Sequence, residues 1–278
     1  MRNALSIDVE EYFQVGAFET VLDRADWDRL ESRVEQATDR ILGLLADRQV
    51  HATFFVLGWI AERHPALIAR IAAGGHEVAS HGWDHARVFT LTAESFRADL
   101  RRARGTIEDA SGQAVRGYRA PSFSIDQRTP WAHPVLAEEG YAYSSSVAPI
   151  AHDHYGWREA PRFAWHPVAG SPLIELPVTT VEIGGRRFAA AGGGFFRIYP
   201  YALSRWAVRR LNENDHRPAV VYLHPWEVDP DQPRIAGAPL KSRLRHYSRL
   251  DAMEAKLTRL VDDFAWDRVD AVIAAEAA

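Results

Sequence analysis

The chain contains no cysteine, so disulfide bonds and thiolate metal ligands are excluded. Any metal ion bound by its side chains must therefore be held by histidine, aspartate or glutamate. No apolar run reaches the roughly 18 residues of a membrane-spanning helix. The N-terminal residues lead directly into Asp8 without the apolar stretch of a signal peptide, so we expect a cytoplasmic protein.

Long blocks of one charge sign are also absent. The 278 residues include 33 basic and 37 acidic side chains, which gives a net charge of −4. A nucleic-acid-binding protein typically carries a dense basic patch, so we expect no nucleic-acid partner. The apolar fraction of 47% and the length are instead typical of a globular enzyme with one large core.

Short apolar runs alternate with segments of helical periodicity along most of the chain. This alternation is typical of βα units built around a parallel sheet, and therefore of an α/β fold. We expect one barrel domain over residues 1–278, with an irregular insertion near 145–200. The predicted strands are 4–9, 53–57, 77–80, 117–119 and 219–223, and weak alternation over 173–182 predicts further β structure. The predicted helices are 27–48, 64–73, 92–109, 200–212 and 250–264.

The segment Ser80–His85 places two imidazoles four residues apart, directly after a predicted strand. At this spacing on a helix or a tight helical turn, His81 and His85 can reach a single ion. Neutral imidazole suits zinc, and also cobalt or nickel. The alternative is a pair of surface histidines in a loop.

Acidic residues follow the first predicted strand. Asp8 and Glu10 lie two residues apart and would share one face if the strand continued. One of them can hold a metal ion while the other accepts a proton from water. The alternative is a strand that runs into a helix, whose N-terminus attracts acidic residues.

Two further polar residues follow predicted strands. Arg119 can orient a buried carboxylate through a forked pair of hydrogen bonds, and His224 can protonate a leaving amine as a general acid. Taken singly, each also fits a structural role, as a loop arginine and a packed core histidine. Polar groups at the ends of several strands are how barrel enzymes assemble an active site, so the set predicts a metal-dependent hydrolase.

Together these segments resemble the polysaccharide deacetylases with a NodB-homology domain, carbohydrate esterase family four. The resemblance spans about residues 4 to 226 and rests on five short motifs in the family's order: Ser6–Asp8, Thr53–Phe55, Ser80–His85, Arg119–Pro121 and Leu223–His224. It implies a distorted (β/α)7–8 barrel of the NodB type. It also implies metal-dependent hydrolysis of N-acetyl groups on an amino sugar.

Three further segments resemble a subgroup of this family that accompanies exosortase/PEP-CTERM exopolysaccharide loci. They are Gly192–Arg197, His224–Pro230 and Arg245–Tyr247. This resemblance implies a C-terminal extension over 227–278. It also implies an N-acetylated glycan substrate in exopolysaccharide biosynthesis, or its lipid-linked precursor, with peripheral contact to a membrane-bound assembly system.

The resemblance implies a role for each candidate residue. Asp8 would be the general base, positioned by Arg119, and His224 would be the general acid. His81 and His85 would bind a divalent metal, Zn²⁺ first and Co²⁺ or Ni²⁺ as alternatives. The expected substrate contacts are a backbone amide at Ser122, which would hold the oxyanion, and the Trp226 side chain.

Two positions depart from the family pattern. The first motif usually has two adjacent aspartates, of which the second is a metal ligand, and here that position is Val9. We expect Glu10 to be the third ligand, with Glu11 as an alternative. The aspartate that usually tunes the acid histidine has no clear counterpart, and Glu175 is our candidate for that role.

Two other functions stay open at this level. The first is a related amide hydrolase that opens cyclic ureides or imides, some of which work without metal; the substitution at Val9 keeps it open. The second is a sugar-binding homologue that has lost catalysis. Metal analysis addresses the first, and binding without turnover would indicate the second.

Overall fold

The structure is a computed structural model that describes residues 1–151, 156–190 and 192–277. Its strands, in chain order, are β1 Arg2–Val9, β2 Thr53–Val56, β3 Glu77–Ser80, β4 Gly117–Tyr118, β5 Tyr143–Ser144, β6 Ile174–Glu175, β7 Thr180–Ile183, β8 Arg186–Ala189, β9 Val220–Leu223 and β10 Ala265–Asp267. All except β7 and β8 belong to one parallel sheet of order β10-β1-β2-β3-β4-β5-β6, in which β9 also pairs with β1. Strands β7 and β8 form a separate antiparallel hairpin.

Helices connect and flank these strands. They are α1 Val34–Ala46, α2 Gly58–Arg63, α3 Pro65–Ala73, α4 Ala93–Ser111, α5 Ala132–Glu138, α6 Gly193–Ile198, α7 Tyr201–Arg210, α8 Leu240–Tyr247, α9 Met253–Asp263 and α10 Val269–Ala277. Among the described residues, none of them combines the length and the apolarity that crossing a bilayer requires.

Strand β1 lies in the middle of the sheet and determines which side chains reach the site. Leu5, Ile7 and Val9 pack into the large core between the sheet and its helices. Ala4 packs with Phe55 on the opposite face, inside the curl of the sheet. Because side chains alternate along a strand, Ser6 and Asp8 share this inner face with Ala4.

The predicted helix over 27–48 is wrong at its N-terminal end. Residues Arg24–Arg29 form a short 3-10 turn, and α1 begins only at Val34. The Glu11 carboxylate accepts hydrogen bonds from the backbone amides of Arg33 and Val34, which satisfies the first donors of α1. A side chain distant in the sequence therefore decides where this helix starts.

The expected barrel of the NodB type is confirmed as a curled half-barrel. In the part of the chain that the structure describes, no strand ladder closes the sheet between β6 and β9. Thr179 bridges this gap instead: its amide donates to the Val220 carbonyl at 3.3 Å, and its hydroxyl accepts from the Val220 amide at 2.6 Å.

Candidate metal centre

The candidate metal ligands lie where β1 and β3 end. Glu10 directly follows Val9, the last residue of β1, and His81 directly follows Ser80, the last residue of β3. The amide of His81 still donates to the Val56 carbonyl of the intervening β2, at 2.8 Å. Because the carboxyl ends of parallel strands meet at one edge of a sheet, Glu10 and His81 become neighbours despite their distance in the sequence.

Three buried side chains offer donor atoms to one point. Glu10 Oε2 lies 2.9 Å from Nε2 of His85 and 4.0 Å from Nε2 of His81, and one ligand atom from each residue fits within 4.8 Å of the others. Among the described residues, Glu10 Oε2 accepts no hydrogen bond of good geometry. An unsatisfied carboxylate oxygen facing two imidazoles fits a divalent cation such as zinc.

The loop that carries both histidines is a tight turn and not a helix. Gly82 and His85 both have positive φ, at +78° and +62°, which is unusual for a non-glycine residue. The backbone amide of Trp83 donates to both carboxylate oxygens of Asp99 in α4, at 3.2 Å. Asp99, which the sequence analysis missed, therefore helps to hold the turn that aims the imidazoles.

Neighbouring groups fix the orientation of the ligands. His81 places its other ring nitrogen, Nδ1, 2.8 Å from the Arg119 carbonyl, so that Nε2 faces Glu10. The indole N–H of Trp226 donates to Glu10 Oε1 at 3.1 Å. Burial lowers the pKa of His81 to about 4, so this ring is neutral at neutral pH, as a metal ligand must be.

Opposing effects act on the pKa of Glu10. Its burial raises the pKa, but the imidazoles of His85 and His224 outweigh that effect and hold it well below its ordinary value. The carboxylate is therefore ionised at neutral pH.

Asp8 and Arg119 form a buried ion pair next to this centre. Arg119 Nη1 donates to Asp8 Oδ1 at 2.6 Å and to the Ser6 hydroxyl at 2.8 Å. The rest of the guanidinium donates to the backbone carbonyl and the hydroxyl of Ser145, both at 3.0 Å, and stacks over the Phe55 ring at 4.1 Å. The arginine is fully buried, so it holds Asp8 in one position.

His224 approaches the same centre from β9. Its Nε2 lies 3.7 Å from Glu10 Oε1, and its Nδ1 lies 3.0 Å from Glu227 Oε2. The Glu227 carboxylate also accepts from the backbone amide of His224 at 3.1 Å. Burial lowers the pKa of His224, but Glu10 and Glu227 outweigh it and raise the pKa to about 9. The ring is thus protonated at neutral pH.

Arg197 holds Glu227 in turn. Its Nε donates to Glu227 Oε1 at 2.9 Å, and both side chains are buried. The remaining guanidinium donors bind the backbone carbonyls of Arg245, His246 and Ser248, at 2.6 to 2.9 Å. This chain of contacts connects the C-terminal end of α8 to the His224 imidazole.

The run Gly192–Gly194 allows α6, and with it Arg197, to approach the sheet. A Cβ atom on Gly192 would lie only 2.2 Å from the Tyr222 ring, and one on Gly193 would lie 2.9 Å from the Tyr222 hydroxyl. Only glycine fits against this aromatic ring. The motif is therefore explained by close packing beside β9.

Glu175 does not accompany His224, contrary to our expectation. One of its carboxylate oxygens lies 3.0 Å from His133 Nε2, and the other accepts from the backbone amides of Ser146 and Val147 at 2.8 and 2.9 Å. Those contacts anchor the chain after β5. Glu227 occupies the expected place beside His224, and its spacing of three residues, with a proline between, is a capping-box pattern that the sequence analysis overlooked.

The Glu11 carboxylate likewise binds other groups and not the candidate centre. It caps α1, as described above, and also accepts a hydrogen bond from Ser32. Of the two adjacent glutamates, only Glu10 faces His81 and His85.

Trp226 is in the centre but cannot stack on a sugar. Its ring stacks with the rings of His224, at 5.1 Å, and His246, at 4.2 Å, both within 18° of parallel. With this packing and an exposure of 7%, it serves as packing and as a donor to Glu10.

Ser122 follows Arg119 by three positions in the sequence. It belongs to the 3-10 turn Pro121–Phe123, shortly after Arg119, and has a positive φ of +55°. Contact of its amide with an oxyanion stays a prediction.

Two successive segments of the chain match different family models. Residues 26–143, which include His81, His85 and Arg119, match the family model described as polysaccharide deacetylase. Residues 145–274, which include Arg197, His224 and Glu227, match a domain of unknown function, DUF3473.

Several curated proteins are similar in sequence. A chitooligosaccharide deacetylase of Sinorhizobium fredii is 39% identical over 148 residues, which cover 53% of this chain and 62% of that protein. A chitooligosaccharide deacetylase of Rhizobium leguminosarum bv. trifolii is 38% identical over 96 residues, 33% of this chain and 45% of that protein. An uncharacterised 30.6 kDa protein of Geobacillus stearothermophilus is 30% identical over 130 residues, 44% of this chain and 47% of that protein. The matches thus span about half of these relatives.

Solved structures share the fold over most of the chain. The structure of a candidate polysaccharide deacetylase of Mycobacterium smegmatis superposes with a TM-score of 0.62 and 24% identity, covering 98% of this chain and 90% of that one. A carbohydrate esterase family four pseudoenzyme of Bacillus anthracis gives a TM-score of 0.52 and 16% identity, covering 98% and 64%. Because a pseudoenzyme shares the fold, the fold does not establish activity. Residues 26–143 are thus similar to polysaccharide deacetylases in sequence, and the solved structures show that the chain shares their fold.

Proposed function

We propose that this protein is a metal-dependent deacetylase that hydrolyses the N-acetyl group of an amino sugar. Its substrate would be an exopolysaccharide or a lipid-linked precursor, and the protein would be a cytoplasmic member of the exosortase-associated subgroup. The observation that carries the proposal is the convergence of Glu10, His81 and His85 between an arginine-held aspartate and a glutamate-held histidine.

The donor set of Glu10, His81 and His85 would hold the cation, for which we propose Zn²⁺. A divalent ion supplies polarisation of the acetyl carbonyl and makes water more acidic. The unsatisfied Oε2 of Glu10 and the neutral His81 ring support this assignment.

Asp8 would accept the proton of the attacking water. Because Arg119, itself fixed by Ser6 and Ser145, holds one carboxylate oxygen of Asp8, the other is oriented for this transfer. His224 would donate a proton to the departing amine, and its protonated state at neutral pH supports that role. By holding Nδ1 of His224, the carboxylate of Glu227 would keep Nε2 of His224 directed at the centre.

A largely apolar cavity lies along β9 and offers a place for the substrate. It is small and partly open to solvent, and its wall includes Phe123 and Tyr222. The Tyr222 ring lies 5.6 Å from that of His224. We assign the apolar part of the substrate to this cavity, since acetyl methyl groups and sugar faces bind well to aromatic walls.

The test is acetate release from N-acetylglucosamine oligomers before metal removal, after it, and after addition of Zn²⁺. We expect release to stop with the metal and to return with Zn²⁺. Glu10→Gln should deplete the metal, whereas Asp8→Asn should keep it and lose turnover. Undiminished release after complete metal removal would reject the mechanism. Ring opening of hydantoin without acetate release would assign the cyclic-amide alternative.

A further inference from the structure

Helix α8 presents its apolar residues to solvent. Leu240 and Leu244 are one helical turn apart and are 70% and 60% exposed, whereas His246 is 3% exposed. A surface helix normally buries its apolar stripe and exposes its polar face. This inverted arrangement leaves an apolar ridge on the surface of the protein.

Basic side chains flank this ridge along the sequence, although the whole chain carries a net charge of −4. Between Asp231 and Asp251 there is no acidic residue and there are five basic ones: Arg234, Lys241, Arg243, Arg245 and Arg249. All five are exposed. None of them forms an ion pair with a carboxylate in the described part of the chain, whereas many other surface arginines do. The net charge of the whole chain therefore gives no sign of this local excess of basic residues.

The helix is fixed beside the candidate metal centre. His246 stacks on Trp226, with ring centroids 4.2 Å apart, and Trp226 donates to Glu10. Arg197 binds three backbone carbonyls at the C-terminal end of α8. A surface bound by α8 would therefore lie close to the site of the chemistry.

We infer that α8 docks on an anionic lipid bilayer, with Leu240 and Leu244 in the interface and the surrounding basic residues on the headgroups. Exposed leucines flanked by unpaired cations are complementary to such a surface in both apolarity and charge. A second copy of this protein would bring the same five cations against each other. Charge complementarity therefore selects the membrane over self-association.

What membrane docking implies for the substrate rests on the proposed deacetylase function. If α8 binds the bilayer, the neighbouring site receives amino sugars at the membrane surface. The substrate class is then a glycan whose reducing end is anchored to a lipid, and not a polymer free in solution.

The first experiment is co-sedimentation of the full chain with vesicles. One set contains phosphatidylcholine with phosphatidylglycerol, and the other contains phosphatidylcholine only. We expect binding to the anionic set, weakened by salt. The double variants Leu240→Ser/Leu244→Ser and Lys241→Glu/Arg243→Glu should each bind about tenfold or more weakly. The matched control, Arg116→Glu/Arg158→Glu, reverses two exposed charges away from α8 and should bind normally.

The second experiment compares acetate release from soluble N-acetylglucosamine oligomers and from anionic vesicles carrying a synthetic N-acetylglucosaminyl lipid. The α8 variants should keep the soluble activity and lose most of the vesicle activity, and their thermal unfolding should match the wild type.

Absence of binding to anionic vesicles, or binding unaffected by the α8 variants, would overturn the inference. A dimer that dissociates in Leu240→Ser/Leu244→Ser would also overturn it, since a second copy would then cover α8. Vesicle binding without acetate release from either substrate would instead reject the proposed deacetylase and leave the docking surface intact.

Discussion

The two sides of the candidate centre, one with the proposed base Asp8 and the other with the proposed acid His224, are built in different ways. On the base side, Asp8 is held by Arg119, which lies 111 positions away and reaches it across the inner face of the sheet. On the acid side, His224 is held by Glu227, only three positions away on the same turn. The first pair depends on the order of the strands, and the second depends on local backbone geometry.

The supports behind the two pairs differ as well. Arg119 rests on the serines of β1 and of the segment after β5, within the sheet itself. Glu227 rests on Arg197, which is held by carbonyls at the end of α8, outside the sheet. Because the attacking water must lose a proton in every reaction, we expect substitutions on the base side to slow the hydrolysis of every substrate. Substitutions on the acid side should slow hydrolysis only where the leaving group must be protonated.

The largest loss is expected for Asp8→Asn. Turnover should fall by about 10²–10⁴-fold for both an N-acetyl sugar and 4-nitrophenyl acetate, because water must be deprotonated in either reaction. Acetate release measures the loss, and elemental analysis should show an unchanged metal content. A variant that lost its metal would move Asp8 from the base to the ligand set.

His224→Ala should separate the two substrates. Hydrolysis of the amide should fall by about 10²–10⁴-fold, since an amine leaves only when it is protonated. The 4-nitrophenolate ion leaves without a proton, so we expect a much smaller loss for the aryl ester. Equal losses on the two substrates would contradict the general-acid role.

Glu227→Gln should also slow hydrolysis of the amide more than that of the aryl ester. The loss on the amide should be smaller than for His224→Ala, about 10–100-fold. Because Glu227, after Glu10, raises the pKa of His224, its replacement should lower that pKa. The decline of kcat/KM at high pH should therefore begin at a lower pH. Glu213→Gln, on an exposed glutamate, is the matched control. An unchanged pH profile of kcat/KM in a folded Glu227→Gln variant would exclude an effect of Glu227 on the pKa of His224.

The smallest effect on activity is expected for Asp99→Asn, which instead tests stability. Burial raises the pKa of Asp99 from 3.8 to about 7, so within this window the folded protein keeps a proton that the unfolded chain releases. The free energy of unfolding should therefore fall as pH rises through the window, and Asp99→Asn should reduce this slope. Thermal unfolding below and above the window measures it. Asp109→Asn, on the exposed face of α4, should leave the slope unchanged.

Much of the sheet was predictable because parallel strands buried on both faces appear as continuous apolar runs. The runs at 4–9, 53–57, 77–80 and 219–223 correspond to β1, β2, β3 and β9. The strands β5, β8 and β10 were missed, since they have only two to four residues and little periodicity. Helix α8 was missed because its leucines face solvent and its histidine is buried.

The residue types of the candidate site were predictable from the sequence, but the contacts that each of them makes were ambiguous. Glu10 and Glu11 are adjacent and chemically identical, and no local signal distinguishes them. Both follow the last residue of β1, yet one turns toward the imidazoles and the other toward α1. Glu175 was chosen by analogy, whereas its contacts with His133 and two amides follow from the position of β6.

The amino-acid sequence by itself determined the available chemistry. Without cysteine, a cation must be held by carboxylate and imidazole groups, and polar residues after apolar runs had to gather at one edge of a parallel sheet. Only the tertiary structure decided which carboxylate faces the histidines and which helix exposes its leucines. Those choices depend on packing between segments distant along the chain, and local residue patterns carry no record of such contacts.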